Sequence, residues 1–442
     1  MEAGGRPRAA SSLCSAQTVH REKFGKLPEA SGGRARQRVP ARETVEIMKP
    51  RKVVIVTRIF TPEPAAASFR LRALARGFAA EGAEVTVLTT RPPRGMSDTT
   101  AAESYSVIRV PVLRDAYDYV RGIPQYLSFD IQAFARLLVM DADIVISEPP
   151  PTTGLAVWAS SALRRRPYIW YNPDVWTSAT LTMDVPRIVT ELMRLAETVS
   201  ARRAGGVITV SEAMGAELAE VTGVKRDKMF VAENGIDTDI FTPDGPTEEL
   251  TEPYFVYAGS MSEWQGADVF IDALARIVPE HPDVKIHFLG RGSDVERMER
   301  VAREVAPDNV VFDGMQPPER TAAVTRGAVA ALASIIPGRG YDFAKPTKVY
   351  AAAACGTPVI YAGARGVAAQ LVTDNDLGQA VGHNAAEVAA ALRTALEPSG
   401  LHDRDAGVRR RSDWARAHAS LGASGRAAAQ WVLSGFVRNR AR

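Results

Sequence analysis

From Lys52 onward the chain alternates short apolar runs with segments whose apolar residues recur every three or four positions. VVIVT suits a strand buried on both faces, SFRLRALARGFAAEG has the period of an amphipathic helix ending at Gly82, and AEVTVLTT is apolar again. That is one βαβ unit. Strand-like runs follow at SVIRVPVL, DIVIS, YIWYN and GVITVS, each followed by helical or turn sequence, which predicts a doubly wound parallel sheet. After about Val224 the rhythm lapses, and FVAENGIDTDIFTPDGPTEELTEP reads as a linker rich in turn dipeptides. A second series starts at YFVYAG and continues through VKIHFLG, VVFDG, AVAALAS, PVIYAG and GQAVG. The pattern predicts an α/β chain of two Rossmann-like domains facing a cleft, over residues 48–227 and 228–411. In 412–442, Trp414, Leu421, Ala428, Trp431, Val432 and Phe436 fall at broadly helical spacing and predict a C-terminal helix.

Composition agrees with two domains, since 442 residues at 46% hydrophobic content exceed one ordinary core. The two cysteines, Cys14 and Cys355, belong to no CxxC or Cys/His cluster and cannot build a disulfide framework, which fits a reducing cytoplasm. No apolar run approaches the roughly 20 residues needed to span a bilayer, so any membrane contact is expected to be peripheral.

Charge is unevenly placed. Residues 1–50 hold ten Lys/Arg against five Asp/Glu, so the remainder is slightly acidic although the whole chain is +3. The basic balance therefore reflects the leader and argues for no nucleic-acid partner. Residues 1–47 lack apolar periodicity and the apolar core of a secretory signal, and read as a disordered basic leader. Met48 directly precedes the first strand, so the leader is expected to be dispensable.

The richest chemistry lies at Lys345-Pro346-Thr347-Lys348, which precedes VYAAAACGTPVIYAG. Thr347 is expected to cap a helix from Val349 to Cys355, with Gly356 and Pro358 stopping it before the strand Val359-Ile360-Tyr361. A helix N-terminus beside a lysine-bracketed loop suits a diphosphate, while Lys348 in a first helical turn is also compatible with a solvent-facing role. Four Asp-x-Asp matches, at 141–143, 237–239, 374–376 and 403–405, sit at strand entries or turns and imply no metal. His287 lies within a predicted strand and suits a core or edge position, and Arg409-Arg410-Arg411 reads as solvated, with phospholipid contact as the alternative.

Six segments in order carry a resemblance: TRIFTPEPAAASFRLRALARGFAAEGAEVTVLTTRPP, SEPPPTTGLAVWASSALRRRPYIWYNPDVWTSA, VITVSEAMGAEL, ENGIDTDIF, YAGSMSEWQGADVFIDAL and CGTPVI. Over nearly all of residues 52–435 the chain resembles a family 4 glycosyltransferase of the glycosyltransferase-B fold, in its pattern most like the bacterial branch of surface-polysaccharide amino-sugar transferases. The resemblance implies a retaining enzyme that moves a sugar from a nucleotide-diphosphate donor to a hydroxyl acceptor, such as a lipid-linked glycan precursor. It also implies no cofactor beyond the donor, and a last helix that crosses back to the N-terminal domain. The expected setting is the cytoplasm, with peripheral contact at the inner membrane face.

Departures from the family pattern redirect the expected site. The two glutamates that the family sets around the donor are Phe343 and Ala351 here, and its donor-side cation is replaced by Ser260 and Gln265. The diphosphate charge is therefore expected at Lys348, assisted by Lys345 or Arg291, with Gly259, Pro346 and Thr347 completing the donor loops. On the other side Arg70 can reach a phosphate across the cleft. Glu148, after strand DIVIS, is a candidate acceptor contact or base, or a hydrogen-bonded loop residue. Asp174 and Trp176 form a candidate acceptor loop, where Asp174 also suits a turn after Asn172-Pro173. A nucleotide-sugar epimerase would call for acidic and histidine residues around the cleft, in which the chain is poor, and a non-catalytic partner of another transferase is the third reading.

Overall fold

The computed structural model describes residues 50–440 except 64, 97–102, 116–117, 182–185, 249, 340 and 343, so the leader and Phe343 lie outside the described residues. The first half runs β1 (Lys52–Val56), α1 (Ala66–Ala80), β2 (Glu84–Thr90), β3 (Ser106–Val110), α2 (Ile123–Val139), β4 (Ile144–Ser147), α3 (Pro151–Leu163) and β5 (Tyr168–Asn172). It continues through α4 (Trp176–Leu181), α5 (Arg187–Arg203), β6 (Gly206–Thr209), α6 (Glu212–Thr222) and β7 (Met229–Val231). All seven strands are parallel, in the order β3-β2-β1-β4-β5-β6-β7, with Val53 opposite Val85 on one side and Ile144 on the other. β7 falls where the sequence pattern suggested only linker. It is three residues long and half-buried at the sheet edge, too short for a periodic signal.

The second half runs β8 (Tyr254–Ala258), α7 (Val269–Ile277), β9 (Lys285–Leu289), α8 (Val295–Val305), β10 (Val310–Gly314), α9 (Pro318–Gly327), β11 (Ala330–Ser334), α10 (Thr347–Ala354) and β12 (Val359–Ala362). It closes with α11 (Val367–Thr373), β13 (Gly378–Val381), α12 (Ala385–Leu396), α13 (Pro398–Ala406), α14 (Val408–His418) and α15 (Leu421–Arg440). Its six strands are also parallel, ordered β10-β9-β8-β11-β12-β13. Each sheet therefore reverses its winding beside its first strand, at β1/β4 and at β8/β11, the switch points outside which such sheets bind ligands.

Strand alternation sends successive side chains to opposite faces of each sheet. Val53, Ile55, Ile144 and Ile146 pack with Leu71, Leu74 and Phe78 of α1, whereas Val54, Val56 and Val145 pack with Phe129 of α2, Val157 of α3 and Ala201 of α5.

The segment from Trp414 to Phe436 is two helices. α14 packs on α10 in the second domain, and after a turn at Ala419-Ser420, α15 packs on α1 of the first. Ala428, Ala429 and Val432 join the core around Leu71 and Leu74, and Arg426 pairs with Glu81 at 2.7 Å. The arginine triplet is likewise not uniformly solvated. Arg409 pairs with Asp244 at 2.7 Å and Arg410 with Asp376, but Arg411 is buried and donates to the carbonyls of Gly356 (2.7 Å), Asp403 and Arg404. Those carbonyls close α10 and α13, whose negative dipole ends favour a cation.

The linker is clamped by the crossover turn. Ile236 N donates to Ala419 O at 2.8 Å and Leu421 N donates to Ile236 O at 3.0 Å. Glycine is required at 235 because a Cβ there would lie 2.1 Å from the Ala419 oxygen. Gly235→Ala is expected to destabilise the fold by about 1–3 kcal/mol, the scale of overpacking, and to lower the urea midpoint. An unchanged midpoint would show that the turn moves aside freely.

Candidate functional site

The C-terminal edges of the two sheets, the linker and the crossover helix enclose a cavity of about 470 Å³. One wall is α1, through Phe69 and Arg70; another is formed by the loops after β8 and β9, through Gly259, Ser260, Gly290 and Arg291. α10 supplies Thr347, Lys348 and Ala351, and Asn234 to Asp237 of the linker form a further side. The two glycine loops lie against each other, and a Cβ on Gly290, whose φ is +140°, would meet the Gly259 oxygen at 1.9 Å. Glycine there keeps backbone, not side chain, at the cavity edge.

α10 begins at Thr347, two residues before the expected start at Val349. Pro346, not Thr347, is the N-cap, it makes no side-chain cap bond, and Thr347 is the first helical residue on the cavity wall. A φ of −64° at Pro346 presets the chain for the helix entry, which removes the need for a hydroxyl cap. The first-turn N–H groups then present positive partial charge to the cavity.

Lys348 is the most unusual group here. Its Nζ donates to the Tyr257 hydroxyl at 2.7 Å and stands 4.1 Å from the centroid of that ring. Among the described residues it has no carboxylate partner, and burial pushes its pKa down to about 7. A lysine whose pKa is lowered by burial, beside a helix N-terminus, has the chemistry to receive an anion. Tyr257 in turn donates to Ser260 O at 3.3 Å, which ties the lysine to the loop after β8.

Arg70 faces Lys348's cavity from the opposite domain. Behind it lies Glu148, buried, with Oε1 3.9 Å from the Arg70 guanidinium and Oε2 accepting from Thr57 Oγ1 at 2.6 Å. Desolvation raises the Glu148 pKa, and Arg70 and the Thr57 hydroxyl oppose that rise. Glu148 does not line the cavity, so its geometry holds Arg70 in place.

The remaining expected residues divide. Gly259, Ser260, Arg291, Thr347 and Ala351 share the cavity with Lys348 and Arg70, whereas Lys345 is exposed and neither it nor Pro346 lines the wall. Gln265 is buried within its loop, where its Oε1 accepts from Ser260 Oγ at 3.2 Å and Ser262 N at 3.0 Å. Asp174 is exposed and Trp176 half-buried, both away from the cavity.

Sequence reasoning missed Tyr257, because the strand YFVYA is aromatic at Tyr254 and Phe255 as well and nothing local sets Tyr257 apart. It also missed Arg58, which lies over Tyr126 at 4.8 Å and Trp176 at 5.9 Å. A charged residue directly after a buried strand and its threonine was the available sign. Tyr119, 6.0 Å from the Arg291 guanidinium across the cleft, had none.

Comparison with known proteins follows the same division. Residues 66–235 match the family model described as glycosyl transferase 4-like domain, and residues 252–398 match glycosyl transferases group 1. A D-inositol 3-phosphate glycosyltransferase of Corynebacterium aurimucosum is 26% identical over 73% of this chain and 80% of its own length. A GDP-mannose-dependent alpha-(1-6)-phosphatidylinositol monomannoside mannosyltransferase of Mycolicibacterium smegmatis is 30% identical over a shorter stretch, 33% of this chain and 41% of its own. Among solved structures, a sucrose-phosphate synthase from Thermosynechococcus elongatus superposes with a TM-score of 0.65 at 17% identity, covering 88% of this chain and all of that one, a likeness of fold. No helix among the described residues is long and apolar enough to cross a membrane.

Proposed function

We propose that this chain, which belongs to the glycosyltransferases and carries a glycosyl transferase 4-like domain followed by a glycosyl transferases group 1 domain, binds the diphosphate of its nucleotide-sugar donor at Lys348 and transfers the sugar with retention. The observation that carries the site is Lys348 at the N-terminus of α10, which among the described residues has no carboxylate partner and faces Arg70 across one cavity. As the glycosidic bond breaks, negative charge grows on the leaving diphosphate, and a cation with helix-terminal N–H groups lowers that barrier. Acceptor hydroxyl and leaving phosphate lie on the same face of the sugar, so no carboxylate nucleophile is needed. Arg70 holds a phosphate of donor or acceptor, and Glu148 positions Arg70.

The acceptor is a lipid-linked glycan precursor, met by peripheral association at a membrane surface. Support comes from the name of the Mycolicibacterium relative, whose acceptor is a phosphatidylinositol monomannoside. Purified protein should show a thermal shift with one member of a panel of nucleotide sugars that includes GDP-mannose and UDP-sugars, and should hydrolyse that donor slowly without acceptor. Failure to bind any member would sink the reading.

In this reading the leaving-group charge is met by Lys348 and the helix end, and turnover proceeds without a divalent metal. Donor hydrolysis should survive EDTA. Loss of activity with EDTA and its return with magnesium or manganese would overturn the metal-free route.

A further inference from the structure

The first domain carries an apolar surface for which the fold has no use. On α5, Ile188, Leu192 and Leu195 are 61–69% exposed, and on α2, Ile123, Leu127 and Ile131 are 45–66% exposed. Single exposed leucines are ordinary, but these lie at i, i+4, i+7 and i, i+4, i+8, so each set forms one outward stripe. Both helices belong to a single layer. The inner residues Phe129 and Ala201 sit in one core cluster under the same sheet face, and α3 lies packed between the two helices.

The charges on this layer are equally one-sided. The exposed charged residues of α2 and α5 are Arg136, Arg187, Arg194, Arg202 and Arg203 against Glu191 alone, since Asp130 and Glu197 are buried. The chain outside its leader is slightly acidic, so this basic face is local. A second copy of the chain would meet five arginines with five arginines, which disfavours self-association. Apolar stripes flanked by arginines instead match the headgroup boundary of an anionic bilayer, where aliphatic side chains enter the acyl region and guanidinium groups meet phosphates.

Orientation adds a reason. α2 and α5 each lead into a parallel strand, β4 and β6, so both begin at the C-terminal edge of the sheet, the edge that holds Arg70 and the cavity. Ile123 and Ile188 are therefore the stripe residues nearest the cleft. We infer that the outward faces of α2 and α5 dock the protein on an anionic lipid surface, bringing the acceptor edge of the cleft to the bilayer. Its purpose rests on the reading of a lipid-linked acceptor, but vesicles that contain no acceptor test the surface by itself.

The experiment is co-sedimentation of the full chain with vesicles of phosphatidylcholine, alone and mixed with phosphatidylglycerol. The parent should bind the mixed vesicles and lose binding as salt rises. The triple variant Ile188→Ser, Leu192→Ser, Leu195→Ser should bind about tenfold more weakly or less, as should Ile123→Ser with Ile131→Ser on the other helix. The pair Arg187→Gln, Arg194→Gln should remove most of the preference for phosphatidylglycerol. All are surface changes outside the cavity, so the thermal shift with the donor sugar should be retained, which separates a docking defect from a folding one. Variants that sediment as the parent does would overturn the inference and place membrane contact elsewhere. So would a parent that binds no vesicles, and binding to polyglutamate would then assign the face to an acidic protein.

Discussion

Replacing Lys348 by alanine should lower turnover by about 10²-fold or more, since losing one donor aimed at developing charge costs on the order of 2–4 kcal/mol in the transition state. Lys348→Arg should recover only part. The ammonium fits between the Tyr257 hydroxyl at 2.7 Å and the Gly259 backbone, where a Cβ would stand 3.3 Å from Lys348 Cε, and a planar fork needs more room. The pH dependence has a definite sign. With a pKa of about 7 in the empty site, the lysine must be protonated to hold the diphosphate, so affinity for a nucleotide sugar should fall as pH rises above about 7. The donor's own diphosphate, esterified at both ends, does not titrate there.

Stability should move the other way. The unfolded lysine titrates near about 10.4, so between about pH 7 and 10 the unfolded chain binds more protons and the native state gains stability as pH rises. Lys348→Ala should remove this slope and raise the melting temperature of the empty protein most below pH 7. A variant with near-normal turnover would show that the charge is met elsewhere, with Arg291 and Arg70 next in line.

Arg70→Met should reduce activity by a similar order and also destabilise the fold, because Glu148 would be left as a buried charge without its cation. Breaking such a pair costs about 3–5 kcal/mol, and the 3.9 Å separation places this one toward the lower end. Burial already raises the Glu148 pKa, and removing Arg70 removes its largest opposing influence. A carboxyl whose native pKa exceeds its unfolded value loses stability as pH rises from the unfolded value through the native one. The melting temperature of Arg70→Met should therefore fall more at pH 8 than at pH 5. Adding Glu148→Gln should restore stability without restoring turnover. Recovery of activity in the double variant would mean that Arg70 serves only to neutralise Glu148.

What the sequence determined by itself is the architecture and the position of the lysine-bearing helix start at the cavity wall. Runs such as VVIVT and YFVYA are apolar throughout because parallel strands are covered on both faces, and their repetition declares two sheets without any tertiary information. Lys348 was legible for a similar reason: a lysine two residues after a proline at the start of an alanine-rich helix is a local pattern, and a helix end carries its dipole wherever it sits. Its lowered pKa was not legible. That depends on burial beside Tyr257, which lies 91 positions earlier and reaches the lysine only through the β8/β11 packing. Glu148 shows the same limit, since its place after β4 left open an acceptor contact or a hydrogen-bonded loop residue, and only the packing of α1 put Arg70 in front of it. Periodicity also could not divide the C-terminal helices, because α14 and α15 are both amphipathic and the break at Ala419-Ser420 is set by pairing with Ile236, far away in the chain. Local chemistry decides which segments become strands and helices; which side chains share a cavity, and with what charge, is decided by distant segments that exclude water from them.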